Sequence, residues 1–508
     1  MPPIRLLDIK TMRVEMYTNI HESVKRDGYA CISHVWGEQK GYSPEELGIT
    51  GDVNWEIPLS HPKKLQRIKK AVQDHDMRYC WLDLVCIPQG DDREQDRVKE
   101  IPHMGDYYGG AKITFVLETK RMSTPDTVVN KTFGLIGPIV GTIATGSLRD
   151  AIKGYHDSNL MSRDEQWFER VWTFQEAVLS KKLTYVTSRG NYRDITDILD
   201  SISKAYKDGS KKVQMMFDEN SDTTTLSRAV DEYHEHKADL TEVLYKSCQR
   251  KCAKSHDRLY GVLSVLQYVT FPVTYDVSME DLNKSAIRYA HSRGDISWLS
   301  VGGNVNKGFI QPMYEKFARV GRYWKQSNNQ VKFENNALYI DVYPVAKIQC
   351  CESAIRTEFF VGWMVDMFRS WKIPNSMISR VLLDYDDTDP KYCEQIRDDL
   401  DNIKLDQFGK VVIGFFSMNS SRLNGLDDNK RMHKEITVAI SHDEKGEMIP
   451  LIICGKADIG DEIMLVEMYD YKDRMLGIVT SGHERKGVCL YPKTYISKDL
   501  CVSHKFLV

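Results

Sequence analysis

The chain has 508 residues, of which 42% are hydrophobic and 28% charged, and its formal net charge is −3. This composition is typical of a globular protein with ample core, and the length predicts two or three domains. Nucleic-acid-binding proteins usually carry a basic excess, so the slightly acidic balance argues against a general nucleic-acid binder.

The cysteines and the N-terminus indicate the compartment. Eleven Cys, an odd number, are scattered along the chain, and residues 1–5 lack the basic-then-apolar pattern of a signal peptide. Reduced thiols in a cytosolic or nuclear compartment follow, and we predict a cytoplasmic protein. Cys248, Cys252 and His256 have four-residue spacing but no visible fourth ligand, so no metal site is predicted. The most apolar run, residues 133–146, is too short and too rich in Gly to span a membrane.

The first 120 residues alternate short apolar runs with helical patterns. The runs at residues 29–35, 79–87 and 112–117 predict buried strands. Helices are predicted at about residues 62–76 and 98–109. The basic residues of the first helix are expected to form its solvated face: Lys63, Lys64, Arg67, Lys69 and Lys70.

Residues 167–180 contain no Pro or Gly and predict one continuous helix. Val171, Phe174 and Val178 fall on one apolar face, whereas Trp172 and Glu176 share a different side. An aromatic ring one turn from a carboxylate can hold a cationic or sugar-bearing ligand. The alternative, a core-packed helix with a glutamate at its edge, stays open.

The other segments complete three predicted domains. Residues of about 120–163 show no clear period and predict an insertion, and residues 183–187 predict a fourth strand. Strands that alternate with helices predict a mainly parallel sheet, so residues 1–200 are expected to form an α/β domain. Helical patterns prevail in residues 201–330. Residues 331–508 predict a β-rich domain, with short strands at residues 337–343, 411–416, 436–440, 449–454 and 463–468 and a hairpin turn at 443–446.

A ligand site is predicted at one edge of the sheet. Open parallel sheets bind ligands at the carboxyl ends of their strands. The candidate residues lie at the end of the first strand, in the second strand and on the helix after the third: Ser33, His34, Trp36, Gly37, Asp83, Trp172 and Glu176. Structural roles stay open for several of them, because a buried carboxylate such as Asp83 needs a partner in any case and a buried histidine such as His34 is often part of a core.

Several common catalytic motifs are absent from the sequence. It contains no phosphate-binding loop, no dinucleotide-binding Gly-x-Gly-x-x-Gly, no His-Glu-x-x-His helix and no Gly-x-Ser-x-Gly elbow. The commonest NTPase, dehydrogenase, metalloprotease and esterase classes are therefore excluded.

Three blocks of the sequence resemble the fungal heterokaryon incompatibility (HET) domain. They are residues 29–37 (YACISHVWG), residues 78–89 (RYCWLDLVCIPQ) with 100–111 (EIPHMGDYYGGA), and residues 167–176 (WFERVWTFQE). The chain departs from the family pattern at Pro88 and His34 and in the long piece between Leu117 and Trp167. The resemblance implies a role in non-self recognition, a form of innate immunity, and in regulated cell death.

The HET domain is itself similar to the Toll/interleukin-receptor (TIR) domain, which implies a flavodoxin-like α/β fold. Trp172 and Glu176 stand where TIR domains have the Trp and Glu of the helix after the third strand. In enzymatic TIR domains that Glu supports cleavage of NAD+ between nicotinamide and ribose. The resemblance thus implies Glu176 as the catalytic carboxylate, Trp172 and Trp36 as walls of the pocket, and Ser33 and Asp83 as groups that position the ribose.

Two functions follow from this resemblance. The first is an NAD+ glycohydrolase, with NAD+ as a substrate and no bound cofactor. The second is a non-catalytic signalling module that associates with itself or with a partner protein of an incompatibility system. In neither case is a nucleic acid or a membrane an expected partner.

Overall fold

The computed structural model describes residues 1–90, 93–118, 165–207, 222–235, 238–247, 250–268, 270–295, 297–300, 332–334, 337–355, 360–384, 435–442, 446–466, 474–492 and 502–507. The chain forms two compact units. Met1–Ala238 and Arg250–Asp276 form the first, and Asp239–Gln249 and Val277–Val508 form the second. The predicted division into three domains stays a prediction.

The first unit contains an eight-stranded mixed sheet, whose strands are β1 Arg5–Asp8, β2 Arg13–Met16, β3 Ala30–Ser33, β5 Thr50–Gly51, β7 Tyr79–Trp81, β8 Ile113–Leu117, β9 Leu183–Val186 and β10 Tyr192–Asp194. Their order across the sheet is β10-β9-β8-β3-β7-β1-β2-β5. A separate pair is formed by β4 Lys40–Tyr42 and β6 Ile57–Leu59. The four central strands β9, β8, β3 and β7 run parallel, and β1, β2 and β10 add antiparallel pairings. The predicted α/β character is confirmed, but the sheet is mixed because antiparallel strands extend it at both ends, β1 and β2 beyond β7 and β10 beyond β9.

The helices of the first unit are α1 Tyr17–Asp27, α2 Lys63–Asp74, α3 Asp83–Cys86, α4 Glu94–Glu100, α5 Met104–Gly110, α6 Glu165–Phe168, α7 Val171–Leu179, α8 Ile195–Lys207, α9 Asp222–His234 and α11 Asp257–Tyr260. They cover both faces of the sheet. Ala30 and Ile32 share a core cluster with Ile68 and Val72 of α2. Side chains alternate along a strand, so Cys31 and Ser33 point to the opposite face. There Cys31 Sγ donates to the Tyr107 carbonyl of α5 at 3.4 Å.

The second predicted strand is shorter than expected. It stops at Trp81, and residues 83–86 form one helical turn in which Asp83 is the first residue. The Leu84 amide donates to Asp83 Oδ1 at 2.8 Å. A short carboxylate that bonds the nearby backbone competes with strand pairing, which ends β7 early.

The predicted helix at 167–180 is interrupted. Arg170 is extended, with φ −86° and ψ 135°, and forms a bridge with Lys251. The Val171 amide donates to the Lys251 carbonyl at 3.0 Å. Pairing with a distant segment therefore separates α6 from α7. Val171, Phe174 and Val178 are buried, as their spacing predicts.

The second unit contains α10 Leu240–Ser247, α12 Met279–Ser292, α13 Phe360–Ser370, α14 Asn375–Asp384 and strands β11 Lys332–Glu334, β12 Ala337–Ile355, β13 Glu435–His442, β14 Met448–Gly455, β15 Glu462–Val466, β16 Arg474–Ser481, β17 Glu484–Pro492 and β18 Val502–Leu507. The strands follow the order β11-β12-β13-β14-β17-β16-β15. The long strand β12 also pairs with β15, so the sheet closes on itself around a core of Ile453, Ile463 and Val479.

Some predicted features lie outside the described residues. These are the insertion at 120–163 with the apolar run at 133–146, the strand at 411–416 and most of the turn at 443–446. Among the described helices, none is both long enough and apolar enough to cross a membrane.

Candidate active site at the carboxyl end of the sheet

The central contact of the candidate site joins Ser33 to Glu176. Ser33 is the last residue of β3, and its Oγ donates to Glu176 Oε2 at 2.5 Å. The Trp167 indole donates to the same Oγ at 2.8 Å. Ser33 is fully buried and Glu176 is 6% exposed. A strand end and a helix separated by 143 residues are thus joined by one hydroxyl.

The surroundings of Glu176 favour its protonated form. Burial, with a smaller contribution from the charge of Asp83, raises the pKa of Glu176 to about 7. Hydrogen bonds from Ser33 and Tyr108 and the positive charge of Arg170 oppose this rise. The carboxyl group therefore changes its charge near neutral pH, which is where a group that takes part in acid–base or charge-stabilising chemistry is useful.

A second cluster surrounds Asp83. Trp36 Nε1 donates to Asp83 Oδ2 at 2.7 Å, and His34 Nε2 lies 2.8 Å from Oδ1. Burial tends to raise the pKa of Asp83, but His34 and the hydrogen bonds from Trp36 and Leu84 lower it below its ordinary value. Asp83 is therefore ionised, and 17% of its side chain is exposed.

His34 lies inside this cluster. Its side chain is 1% exposed, and burial lowers its pKa below the ordinary value. Nε2 lies 2.8 Å from Asp83 Oδ1 and Nδ1 lies 3.2 Å from the Val35 carbonyl. Both neighbours are acceptors, so a neutral ring donates to one of them at a time. His34 thus contacts Asp83, and both its binding role and the structural alternative stay predictions.

The other two predicted site residues have different positions. Gly37 is exposed and has φ +71°, a left-handed conformation that favours glycine and turns the chain after Trp36. Trp172 is half-buried and its indole hydrogen-bonds Asp257. The structure therefore brings Ser33 to Glu176 and groups His34 and Trp36 with Asp83, while the Trp172 indole is directed at α11.

The comparisons with known proteins can be placed on this geometry. Residues 29–176 match the family model "Heterokaryon incompatibility protein (HET)". The chain therefore contains a HET domain at these residues. The matched range begins one residue before β3 and ends at Glu176, so it contains the Ser33–Glu176 contact. No curated protein and no solved structure matches the chain significantly.

The family match gives a biological role at a coarse level. A HET domain indicates heterokaryon incompatibility and the cell death that accompanies it. The family match covers 148 of 508 residues and does not identify a reaction, because a reaction depends on the residues of the site and not on the fold.

Four residues that surround the candidate active site were not singled out from the sequence. The Trp167 indole donates to Ser33, and Arg170 Nη1 donates to the His34 carbonyl at 2.9 Å. The Tyr108 hydroxyl donates to the Ile32 carbonyl at 3.3 Å and lies close enough to Glu176 to affect its pKa, and Lys64 Nζ donates to the Val35 carbonyl at 2.7 Å. Trp167, Arg170 and Tyr108 lie inside the blocks that resemble the family, so the resemblance could have identified them as site residues. Nothing in the sequence indicates such a role for Lys64, because a lysine on an amphipathic helix is usually solvated.

Residues beyond the matched range also support the candidate active site. Arg250 is 3% exposed, and its Nη1 donates to the Arg170 carbonyl and to Thr173 Oγ1, both at 3.2 Å. Its guanidinium lies 5.2 Å from the Phe174 ring centroid. Residues 250–276 belong to the first unit and fix the start of α7, the helix that carries Glu176.

Replacing Asp83 by Asn tests the second cluster. The amide nitrogen would face either the Leu84 N–H, which Oδ1 accepts, or the Trp36 indole N–H, which Oδ2 accepts, so one of these donors would lose its acceptor. We expect the free energy of unfolding to fall by about 1–3 kcal/mol in denaturant titrations. The control Asp96→Asn, which removes only surface ion pairs of 3.5 and 3.7 Å, is expected to change it by less than about 0.5 kcal/mol. Equal stability of the two variants would contradict a holding role for Asp83.

Proposed function

We propose that the HET domain is an NAD+ glycohydrolase, a hydrolase that cleaves the nicotinamide–ribose bond with Glu176 as its carboxylate. The observation that carries this proposal is the Ser33–Glu176 contact at the carboxyl end of β3. Loss of nicotinamide leaves an oxocarbenium-like ribose, which a nearby carboxylate stabilises. Nicotinamide is already cationic in the substrate, so the leaving group needs no general acid. NAD+ depletion by this reaction would account for cell death.

The strand order supports a TIR-like, flavodoxin-like comparison. In chain order the parallel strands β3, β7, β8 and β9 are first to fourth, and their order across the sheet is 2-1-3-4. That order is shared by flavodoxin-like sheets, which bind ligands between strands 1 and 3. Ser33 lies at this position, because it ends β3 and pairs with Val116 of β8.

Exposure indicates how a substrate would enter. Trp36 is half-buried and Asp83 is partly exposed, whereas Glu176 is 6% exposed. We infer that NAD+ approaches past Trp36, which offers an aromatic wall, and that the ribose reaches Glu176 after the side chains that cover this carboxylate move.

A pH profile tests the charge state that the reaction requires. Only ionised Glu176 stabilises a cation, and its pKa is raised to about 7. The value of kcat/KM for NAD+ is therefore expected to rise as pH increases through about 7 and to fall tenfold per pH unit well below it. The measurement is initial rates from pH 5 to 9 with a parallel check of folding by circular dichroism. A flat profile from pH 5 to 8 in folded protein would argue against Glu176 as the group.

The direct experiment is incubation of the purified full chain with NAD+, with nicotinamide and ADP-ribose separated by chromatography. We expect both products in equal amounts. If no oligomeric form of the wild-type chain releases nicotinamide, the proposed activity is wrong.

A second function is favoured by the burial of the site. Ser33 and Glu176 hydrogen-bond each other and are almost inaccessible, an arrangement that also suits a purely structural role. In that case the HET domain is a signalling module that self-associates or binds a partner protein of an incompatibility system. Glu176→Gln would then keep partner binding and cell toxicity, whereas the enzyme proposal expects a folded variant without toxicity.

A further inference from the structure

Three basic side chains reach the carboxyl ends of the parallel strands. Lys64 Nζ donates to the Val35 carbonyl at 2.7 Å, Arg67 Nη1 and Nη2 to the Glu118 and Val186 carbonyls at 3.3 and 3.2 Å, and Arg170 Nη1 to the His34 carbonyl at 2.9 Å. These carbonyls belong to the ends of β3, β8 and β9, which are neighbours in the sheet. The cations therefore line the edge at which Ser33 and Glu176 meet.

The position of Lys64 and Arg67 differs from the solvated helix face that the sequence predicts. Both side chains are half-buried, whereas their neighbour Lys63 is exposed. Lys64 and Arg67 are three residues apart on α2, so they occupy the same side of this helix. The fold turns that side toward the strand ends.

The cations lack close counter-ions. In the part of the chain that the structure describes, no carboxylate lies within 4.0 Å of Lys64, Arg67 or Arg170. The Arg67 Nε is buried and has no hydrogen-bond partner among these residues. Backbone carbonyls occupy only some of their donors, since a lysine has three N–H groups and an arginine five.

The charges are also close enough to repel one another. The pKa of Lys64 is lowered to about 8, mainly by burial and also by the charges of Arg170 and Arg67, against the opposing effect of Asp83. Three cations gathered at one edge with spare donors are costly unless an anion binds there. An arginine fork and a lysine ammonium match the oxygens of phosphate groups.

We propose that Lys64, Arg67 and Arg170 bind the diphosphate of a dinucleotide, next to the Ser33–Glu176 contact. The inference rests on the proposed function in so far as it assigns this diphosphate to the substrate. Arg170 connects the two parts of the site, since its charge also acts on Glu176. The diphosphate lies over the ends of β8 and β9, and the ribose that bears nicotinamide lies at the end of β3.

Equilibrium binding of ADP-ribose to the full chain tests this subsite without any need for turnover. Isothermal titration calorimetry of wild type, Lys64→Gln and Arg67→Gln is compared with Lys63→Gln, which removes a charge from the exposed neighbouring position. Each loss of a charged phosphate contact is expected to raise the Kd for ADP-ribose by about 10- to 100-fold. Lys63→Gln is expected to stay within about twofold of wild type, and adenosine, which has no phosphate, is expected to bind far more weakly than ADP-ribose.

Charge-keeping variants guard against a loss of folding. Lys64→Arg and Arg67→Lys are expected to retain most of the affinity and its decrease with salt. Wild-type affinity in Lys64→Gln and Arg67→Gln, or no ADP-ribose binding by wild type, would overturn the subsite. If NAD+ is cleaved while those variants bind normally, the proposed function stands and the subsite is wrong. If ADP-ribose binding depends on Lys64 and Arg67 but nicotinamide is never released, the subsite stands and the proposed reaction is wrong.

Discussion

The Glu176→Gln variant of the full chain is expected to cleave NAD+ about 100- to 1,000-fold more slowly than wild type. The neutral amide cannot offer the negative charge that stabilises an oxocarbenium-like ribose. It keeps the size of the side chain, and its carbonyl oxygen can still accept the hydrogen bond from Ser33 Oγ. The measurement is the rate of nicotinamide release at pH 8, where wild-type Glu176 is ionised.

The matched control is Glu169→Gln. Glu169 precedes the same helix and is partly exposed, and its Oε2 lies 2.6 Å from Lys251 Nζ in a surface ion pair. Its loss is expected to leave the rate within about twofold, because surface ion pairs contribute little. Equal rates for wild type and Glu176→Gln would show that this carboxylate is not the catalytic group. If Glu176→Gln is slow but as stable as wild type, its loss of rate reflects catalysis and not folding.

The Arg250→Met variant is expected to lose about 2–4 kcal/mol of unfolding free energy. Methionine retains most of the apolar stem but removes both donors to the Arg170 carbonyl and Thr173 Oγ1, and the contact with the Phe174 ring. The start of α7 then lacks its anchor, so Glu176 is held less firmly against Ser33. Denaturant unfolding and hydrogen exchange of residues 171–179 measure the two effects.

Arg189→Met provides the control, since Arg189 is an exposed loop residue of the same unit. It is expected to change stability by less than about 0.5 kcal/mol. If Arg250→Met resembles this control, residues 250–276 do not support the HET domain. If it is destabilised as expected, a chain that ends near residue 200 is incomplete. Loss of activity on such truncation would then reflect the missing anchor of α7.

The local elements were largely predictable from the sequence. Apolar runs marked β3 and β8, and the spacing of Val171, Phe174 and Val178 marked the buried face of α7. These patterns are local, so a short window of sequence contains them. The two exceptions have distant or side-chain causes: pairing with Lys251 interrupts the helix before Val171, and the Asp83 carboxylate ends β7.

The HET domain could be recognised from the amino-acid sequence, because three blocks of residues resemble the family without reference to coordinates. Only the folded chain shows that Ser33 bonds Glu176, that Trp172 turns to Asp257, and that Lys64 and Arg67 reach the strand ends. Such contacts depend on strand order and helix rotation, which bring together residues up to 143 positions apart. The charge of Glu176 likewise follows from burial, and no local pattern encodes how deeply a single carboxylate is covered.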